Sequence, residues 1–149
     1  LKIEKDSGLA MGFSDFGSIE EGYEWMPLER DNHVFLFAFG KKLREEGRFN
    51  ESNAVFRQGT MCSADPMFYV LMGNNYKDMK HYDLADLAYN KAFSVMPNRL
   101  YPLYQLMILY QERGDKQKAK AMARRVIEKK PKIESRATRD MKKKAMDFL

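Results

Sequence analysis

Disulfide scaffolding is the first thing this chain lacks the means for: its one cysteine, Cys62, has no intramolecular partner. No apolar run exceeds the six residues from Val34 to Phe39. A bilayer span needs about 20, so the chain is not membrane-embedded. The two histidines, His33 and His81, have no second His, Cys or carboxylate at metal-ligand spacing, so no metal or cofactor is expected. Five prolines, nine glycines and few long Val/Ile/Thr runs argue against sheet, leaving an all-α fold as the default. The chain starts at Leu1 with no initiator methionine and no charged-then-apolar leader, and reads as an excised or processed piece. What is present, 44% hydrophobic and 32% charged residues in 149 positions, is enough for one folded domain.

The formal net charge of +5 conceals an asymmetry. Residues 1–98 carry 11 basic and 15 acidic side chains, and residues 99–149 carry 15 and 6. A mildly acidic body therefore ends in a strongly basic segment, which bears on partners and not on fold.

Internal repetition decides the architecture. The string Pro66-Met-Phe-Tyr-Val-Leu-Met-Gly73 aligns with Leu100-Tyr-Pro-Leu-Tyr-Gln-Leu-Met107, and Ala85 with Ala119 and Pro97 with Pro131, every pair 34 residues apart. Tyr69, Met72 and Tyr76, like Leu103, Leu106 and Tyr110, follow the i, i+3, i+7 spacing of one helical face. A third copy starts at His33, with Leu36, Phe39, Gly40, Leu43, Gly47, Ser52 and Phe56 in phase. Gly47 and Gly114 are placed to end first helices in the left-handed conformation. Asn50 and Asp115 are candidate N-caps of second helices, and Asp65-Pro66 is a helix start.

The spans expected are 33–46 with 50–62, 66–79 with 82–95, and 100–113 with 116–129, giving hairpins 33–65, 66–99 and 100–131. Residues 132–149 form a capping helix near 135–148, with Ala137, Met141, Ala145 and Phe148 on one face. Residues 1–32 read as a degenerate first repeat, frayed over 1–16 because Gly8 and Gly12 each cost about 1 kcal/mol in a helix. The capping box Ser18 to Glu21 opens its second half.

Catalytic constellations are incomplete, and no catalytic residue is assigned. Gly12 to Gly17 has the glycine spacing of a phosphate loop, but Ser18 stands where lysine is required. Cys62 lacks an ordering third group and reads as a small buried residue near a helix end. Tyr69, Tyr76, Tyr89, Phe93 and Tyr110 sit at helix-packing positions.

With Gly73, Tyr76, Ala85, Ala92 and Pro97 repeated as Tyr110, Gly114, Ala119 and Pro131, residues 33–131 resemble a tetratricopeptide repeat protein. That resemblance implies a right-handed superhelix of stacked hairpins whose first helices line a concave, partner-binding groove. By the repeat phase, Phe37, Met67, Val70, Tyr101, Tyr104 and Ile108 point into the groove, beside Lys41, Arg44, Asn74, Lys77 and Gln111. Asn74 occupies a place where some such proteins hold a peptide carboxylate. Val70 stands in place of the lysine that usually accompanies it, which disfavours a carboxylate clamp.

A narrower resemblance lies in Met26-Pro27 with Asp31-Asn32, in Met96-Pro97-Asn98-Arg99-Leu100-Tyr101-Pro102, and in Lys132-Ile133-Glu134-Ser135. These strings are similar to the carboxy-terminal repeat region of bacterial O-antigen ligase and polysaccharide polymerase membrane proteins. This implies a non-catalytic tail in the bacterial cell envelope, attached to a membrane part that carries the glycan chemistry. The expected partners are a protein or peptide in the groove and an anionic membrane surface at the basic end. Lys116, Lys120, Arg124, Lys142, Lys143 and Lys144 represent that end. The alternatives are a free-standing, cytoplasmic peptide-binding adaptor, or a nucleic-acid-associated factor using the basic end. Nucleic acid ranks third because the cations are not interleaved with exposed aromatics. Oligomeric state is not legible.

Overall fold

The computed structural model describes residues 17–149. The expected fraying of residues 1–16 and the glycine spacing from Gly12 lie outside the described residues. Among the described residues the chain is all helix: α1 Ile19–Glu29, α2 His33–Glu45, α3 Phe49–Cys62, α4 Met67–Asp78, α5 Tyr82–Val95, α6 Tyr101–Arg113, α7 Lys116–Glu128 and α8 Arg136–Phe148. Each helix packs on the next in sequence. The first helices of successive hairpins also meet, α2 on α4 and α4 on α6, and α8 closes over α6 and α7. This is a solenoid of stacked hairpins with a terminal cap. No described helix is long and apolar enough to cross a membrane.

Local chemistry sets the helix ends. Asn32 Oδ1 accepts from the Val34 and Phe35 amides, Asp65 Oδ1 from Met67, and Asp115 Oδ1 from Lys118. Ser135 and Thr138 cap α8 reciprocally. Asn50 is not a cap as expected. It is already helical, and Arg48 occupies the cap position, where it makes no side-chain cap bond and instead grips Glu51 through two 2.8 Å hydrogen bonds.

The three hairpin turns share one hydrogen-bond pattern: Gly47, Lys80 and Gly114 donate to Arg44, Lys77 and Gln111, while Arg48, His81 and Asp115 donate to Leu43, Tyr76 and Tyr110. The pattern needs a left-handed residue, and Lys80 supplies it at φ 62° where its counterparts are glycine. The αL conformation costs a lysine about 1 kcal/mol. The pattern survives because it satisfies carbonyls at the end of α4.

Packing is governed by rings seated on glycines. Phe39 of α2 lies on Gly22 of α1, Phe56 of α3 on Gly40 of α2, Phe68 of α4 on Gly59 of α3, and Tyr89 of α5 on Gly73 of α4. A Cβ added at any of these glycines would come closer than 3.0 Å to three ring carbons. Phe39, Phe56 and Tyr89 are fully buried, and Phe68 is 1% exposed. In the third hairpin the sizes are exchanged. Met107 stands at the position of Gly40 and Gly73, Ala123 at that of Phe56 and Tyr89, and both are buried in one cluster. Large against small is kept while the owner of the large side chain changes.

Copying that exchange into the second hairpin tests it. Gly73→Met alone should destabilise by about 1–3 kcal/mol through overpacking, and Tyr89→Ala alone by about 3–5 kcal/mol through a cavity. The double variant should recover at least about 1 kcal/mol of the summed loss in denaturant unfolding, whereas strict additivity would show that the two positions do not share one volume.

Candidate functional site

Each first helix must bury one face against its own second helix and another against the next hairpin. What remains is the inner face, built from α2, α4 and α6. It is sorted into two bands along the helix axes. Phe37, Met67, Tyr101 and Tyr104, all half-buried, form an apolar and aromatic band in the amino-terminal halves. Lys41, Arg44, Asn74, Lys77 and Gln111 form a polar band in the carboxy-terminal halves, with half-buried Ile108 as the apolar exception on α6.

Phe37 meets Phe68 edge to face at 5.6 Å and carries the Lys41 ammonium 5.3 Å above its ring. A small pocket of 180 Å³ opens beside it, lined by His33, Val34, Phe37, Asp65 and Phe68. Tyr101 and Tyr104 lie side by side with centroids 6.5 Å apart.

The polar band is less free than its sequence suggests. Arg44 ion-pairs with Asp78 at 2.9 Å and donates to Asn75 Oδ1 at 2.9 Å. Buried Asn75 donates in turn to Ser52 Oγ and Asn53 Oδ1, and Ser52 donates to the Gly40 carbonyl. This chain of bonds ties α2, α3 and α4 together beneath the inner face, so Arg44 is a structural tie. The repeat alignment carried a signal for it: Ser52 stands where Ala85 and Ala119 stand, and a hydroxyl at a tight helix contact requires a partner.

Lys77 is held by Glu112 at 3.7 Å, and Asn74 accepts from the Tyr89 hydroxyl. Among the described residues no carboxylate pairs with exposed Lys41, which leaves it as the uncommitted cation of the face.

Four expectations need correction. Val70 does not line the groove. It is fully buried in a cluster with Ala85, Tyr89 and Leu106, because its short side chain stays below Met67 and Tyr101, which pack on the same cluster. Cys62 is exposed and not buried, since it is the last residue of α3 and lies one turn beyond Gly59, where Phe68 covers the helix. Partial burial, with Asp31 nearby, still pushes its thiol above the ordinary value and away from the thiolate a nucleophile needs.

Lys142 does not belong to a free basic surface: its ammonium donates to the Ile127 carbonyl at 3.2 Å, pinning α8 to the end of α7. Lys116, Lys120, Arg124, Lys143 and Lys144 are exposed. The fourth is the Asn50 cap described above. Among the described residues no three His, Cys, Asp or Glu converge as a metal site.

Tyrosine hydroxyls tie hairpins together behind the face. Tyr23 of α1 donates to Glu51 of α3, and Tyr110 of α6 donates to Asp86 of α5 at 2.9 Å. Burial first, and then the carboxylate partner, pushes each phenol up to about 12, and burial raises Tyr89 as well.

Against known proteins, residues 68–99 match the tetratricopeptide repeat family. No curated protein sequence matches the chain. Solved structures that share its fold include the following. MamA superposes with a TM-score of 0.67 at 18% identity, covering 98% of this chain and 92% of that one. A chain of the CopN-Scc3 complex gives 0.67 at 15% identity, covering 98% and 93%. PcrH, in complex with the chaperone binding region of PopB, gives 0.60 at 16% identity, covering 80% and 95%.

The raised phenols have a consequence at high pH. A tyrosine whose folded value exceeds its unfolded value of about 10 contributes stability that is intact below pH 10 and lost as pH rises toward 12. Thermal unfolding followed from pH 9 to 12 should show a falling midpoint, and Tyr23→Phe with Tyr110→Phe should flatten that fall. An unchanged slope in the double variant would contradict the assignment.

Proposed function

We propose that this tetratricopeptide-type solenoid is a non-catalytic interaction module that holds an extended segment of a partner protein across the inner face of α2, α4 and α6. The observation that carries the reading is the sorted face. Phe37, Met67, Tyr101 and Tyr104 remain partly exposed where no helix of the described chain covers them, beside a parallel band of amides and cations. These side chains, aromatic on α2 and α6 and Met67 on α4, pack on the core with one side and leave the other open on the same face, and tyrosine is a frequent interface anchor because it adds area with little side-chain freedom to lose. PcrH, similar in fold, is a protein seen with a segment of another protein, which supports the same use of this scaffold.

The partner segment would set apolar side chains against the aromatic band and present acceptors or carboxylates to Lys41 and Gln111. The basic surface of Lys116, Lys120, Arg124, Lys143 and Lys144 serves proximity to an anionic membrane in this reading. The resemblance of three local strings to envelope glycan-assembly proteins is the ground for reading the chain as a tail behind such a membrane part. Sequence immediately upstream of Leu1 tests that attachment: a multi-span hydrophobic region supports it, and a soluble domain there removes it.

For the groove itself, Tyr104→Ala should weaken capture of the partner from envelope extract by about 1–2 kcal/mol, a factor of roughly 5–30, without moving the unfolding midpoint by more than a few degrees. Lys143→Glu with Lys144→Glu should instead lower co-sedimentation with anionic vesicles in a salt-dependent way and leave partner affinity nearly unchanged. Loss of partner capture on charge reversal, with no effect of Tyr104→Ala, would put recognition at the basic end.

A further inference from the structure

The α5–α6 and α7–α8 connections leave a cleft of 740 Å³ between them at the edge of the solenoid, and none of its lining residues belongs to the inner face. Its floor is Leu100, 3% exposed, and its walls include Pro97, Pro131 and Ile133. The two prolines fix the backbone of both connections, so the cleft is prearranged and does not have to be assembled by a ligand. Ile133, 75% exposed, adds an apolar wall beside that floor.

Charge decides the occupant. Arg99 and Lys132 both line the cleft and are exposed, no carboxylate lines it, and neither cation joins any ion pair among the described residues. An apolar floor in a cleft that also presents two uncommitted cations calls for a ligand that joins anions to an apolar group. The recessed floor favours a flexible peptide over a bilayer surface, because a flat interface cannot reach Leu100 between the two loops.

We infer that this edge cleft is a second peptide site, which takes an acidic segment with an aliphatic or aromatic side chain seated on Leu100 and carboxylates on Arg99 and Lys132. It stands independently of the inner-face reading. A partner bearing two segments would then bind the solenoid at two places, and the second contact would form at the high effective concentration set by the linker.

The test is a titration of the isotope-labelled full chain with a synthetic peptide of alternating Glu and Leu, read by amide chemical shifts. Shifts should concentrate at Arg99, Leu100, Lys132, Ile133 and Thr138. Arg99→Glu with Lys132→Glu should weaken binding by about tenfold or more, since it replaces attraction by repulsion at both ends. Arg30→Glu, at the exposed end of α1 and outside both surfaces, should leave the affinity unchanged, and the unshifted remainder of each variant's spectrum verifies its fold. Shifts confined to the inner face would overturn the assignment, as would equal binding of a Ser and Leu peptide. Perturbation of these amides by phosphatidylserine vesicles but not by the peptide would make the cleft a membrane contact and equally overturn it.

Discussion

An aromatic ring and a bare backbone cannot occupy the same place unless the backbone residue is glycine, and four consecutive helix contacts in this chain are made that way. Phe39 on Gly22, Phe56 on Gly40, Phe68 on Gly59 and Tyr89 on Gly73 bring α1 through α5 to ring-on-backbone distance. Such contact pins both the spacing and the rotation of each helix, because the ring fits only over the one position without a Cβ. Rotation is what matters for function. It determines which residues of α2, α4 and α6 are left facing inward, and hence that Phe37 and Tyr104 share a surface while Val70 does not reach it. In the third hairpin the Met107 and Ala123 pair meets the same volume requirement by exchange, so the stack continues without a glycine.

Polar chemistry reinforces the stack and trims what the inner face can offer. The bonds from Arg44 through Asn75 to Ser52 and the Gly40 carbonyl fix α2 to α4 from beneath, and Lys77 is restrained by Glu112. Two of the three cations on the face are therefore partly neutralised. The face that results is an apolar strip of Phe37, Met67, Tyr101 and Tyr104 with one ammonium, Lys41, that no carboxylate of the described residues pairs. The edge cleft is the opposite case, since neither Arg99 nor Lys132 joins an ion pair among the described residues, so the two surfaces differ in the charge they present.

Much of the architecture was legible because it is periodic. The helix termini of the three hairpins and the cap fall within one residue of the spans read from the repeat and its glycine, proline and Asp signals. Where the period alone was followed, it failed for identifiable reasons. The αL turn after α4 is taken by Lys80, which no glycine rule finds; only its phase with Gly47 and Gly114 marks it. Val70 shares the phase of Phe37 and Tyr104, but exposure at that phase depends on side-chain length. Cys62 depends on where the covering helix stops, and Lys142 on a carbonyl of another helix. The edge cleft arises between two loops 35 residues apart at Met96 and Pro131, a juxtaposition created by stacking and invisible to local pattern.

The central claim is that the inner face of α2, α4 and α6 meets a partner segment. It is tested most directly by replacing Tyr104 with p-benzoylphenylalanine, and separately Leu87, which is 68% exposed on α5 and not part of that face. Irradiation in cells of the source organism should yield a discrete covalent adduct from position 104 and none from position 87. Adducts from position 87 with none from position 104 would contradict the account.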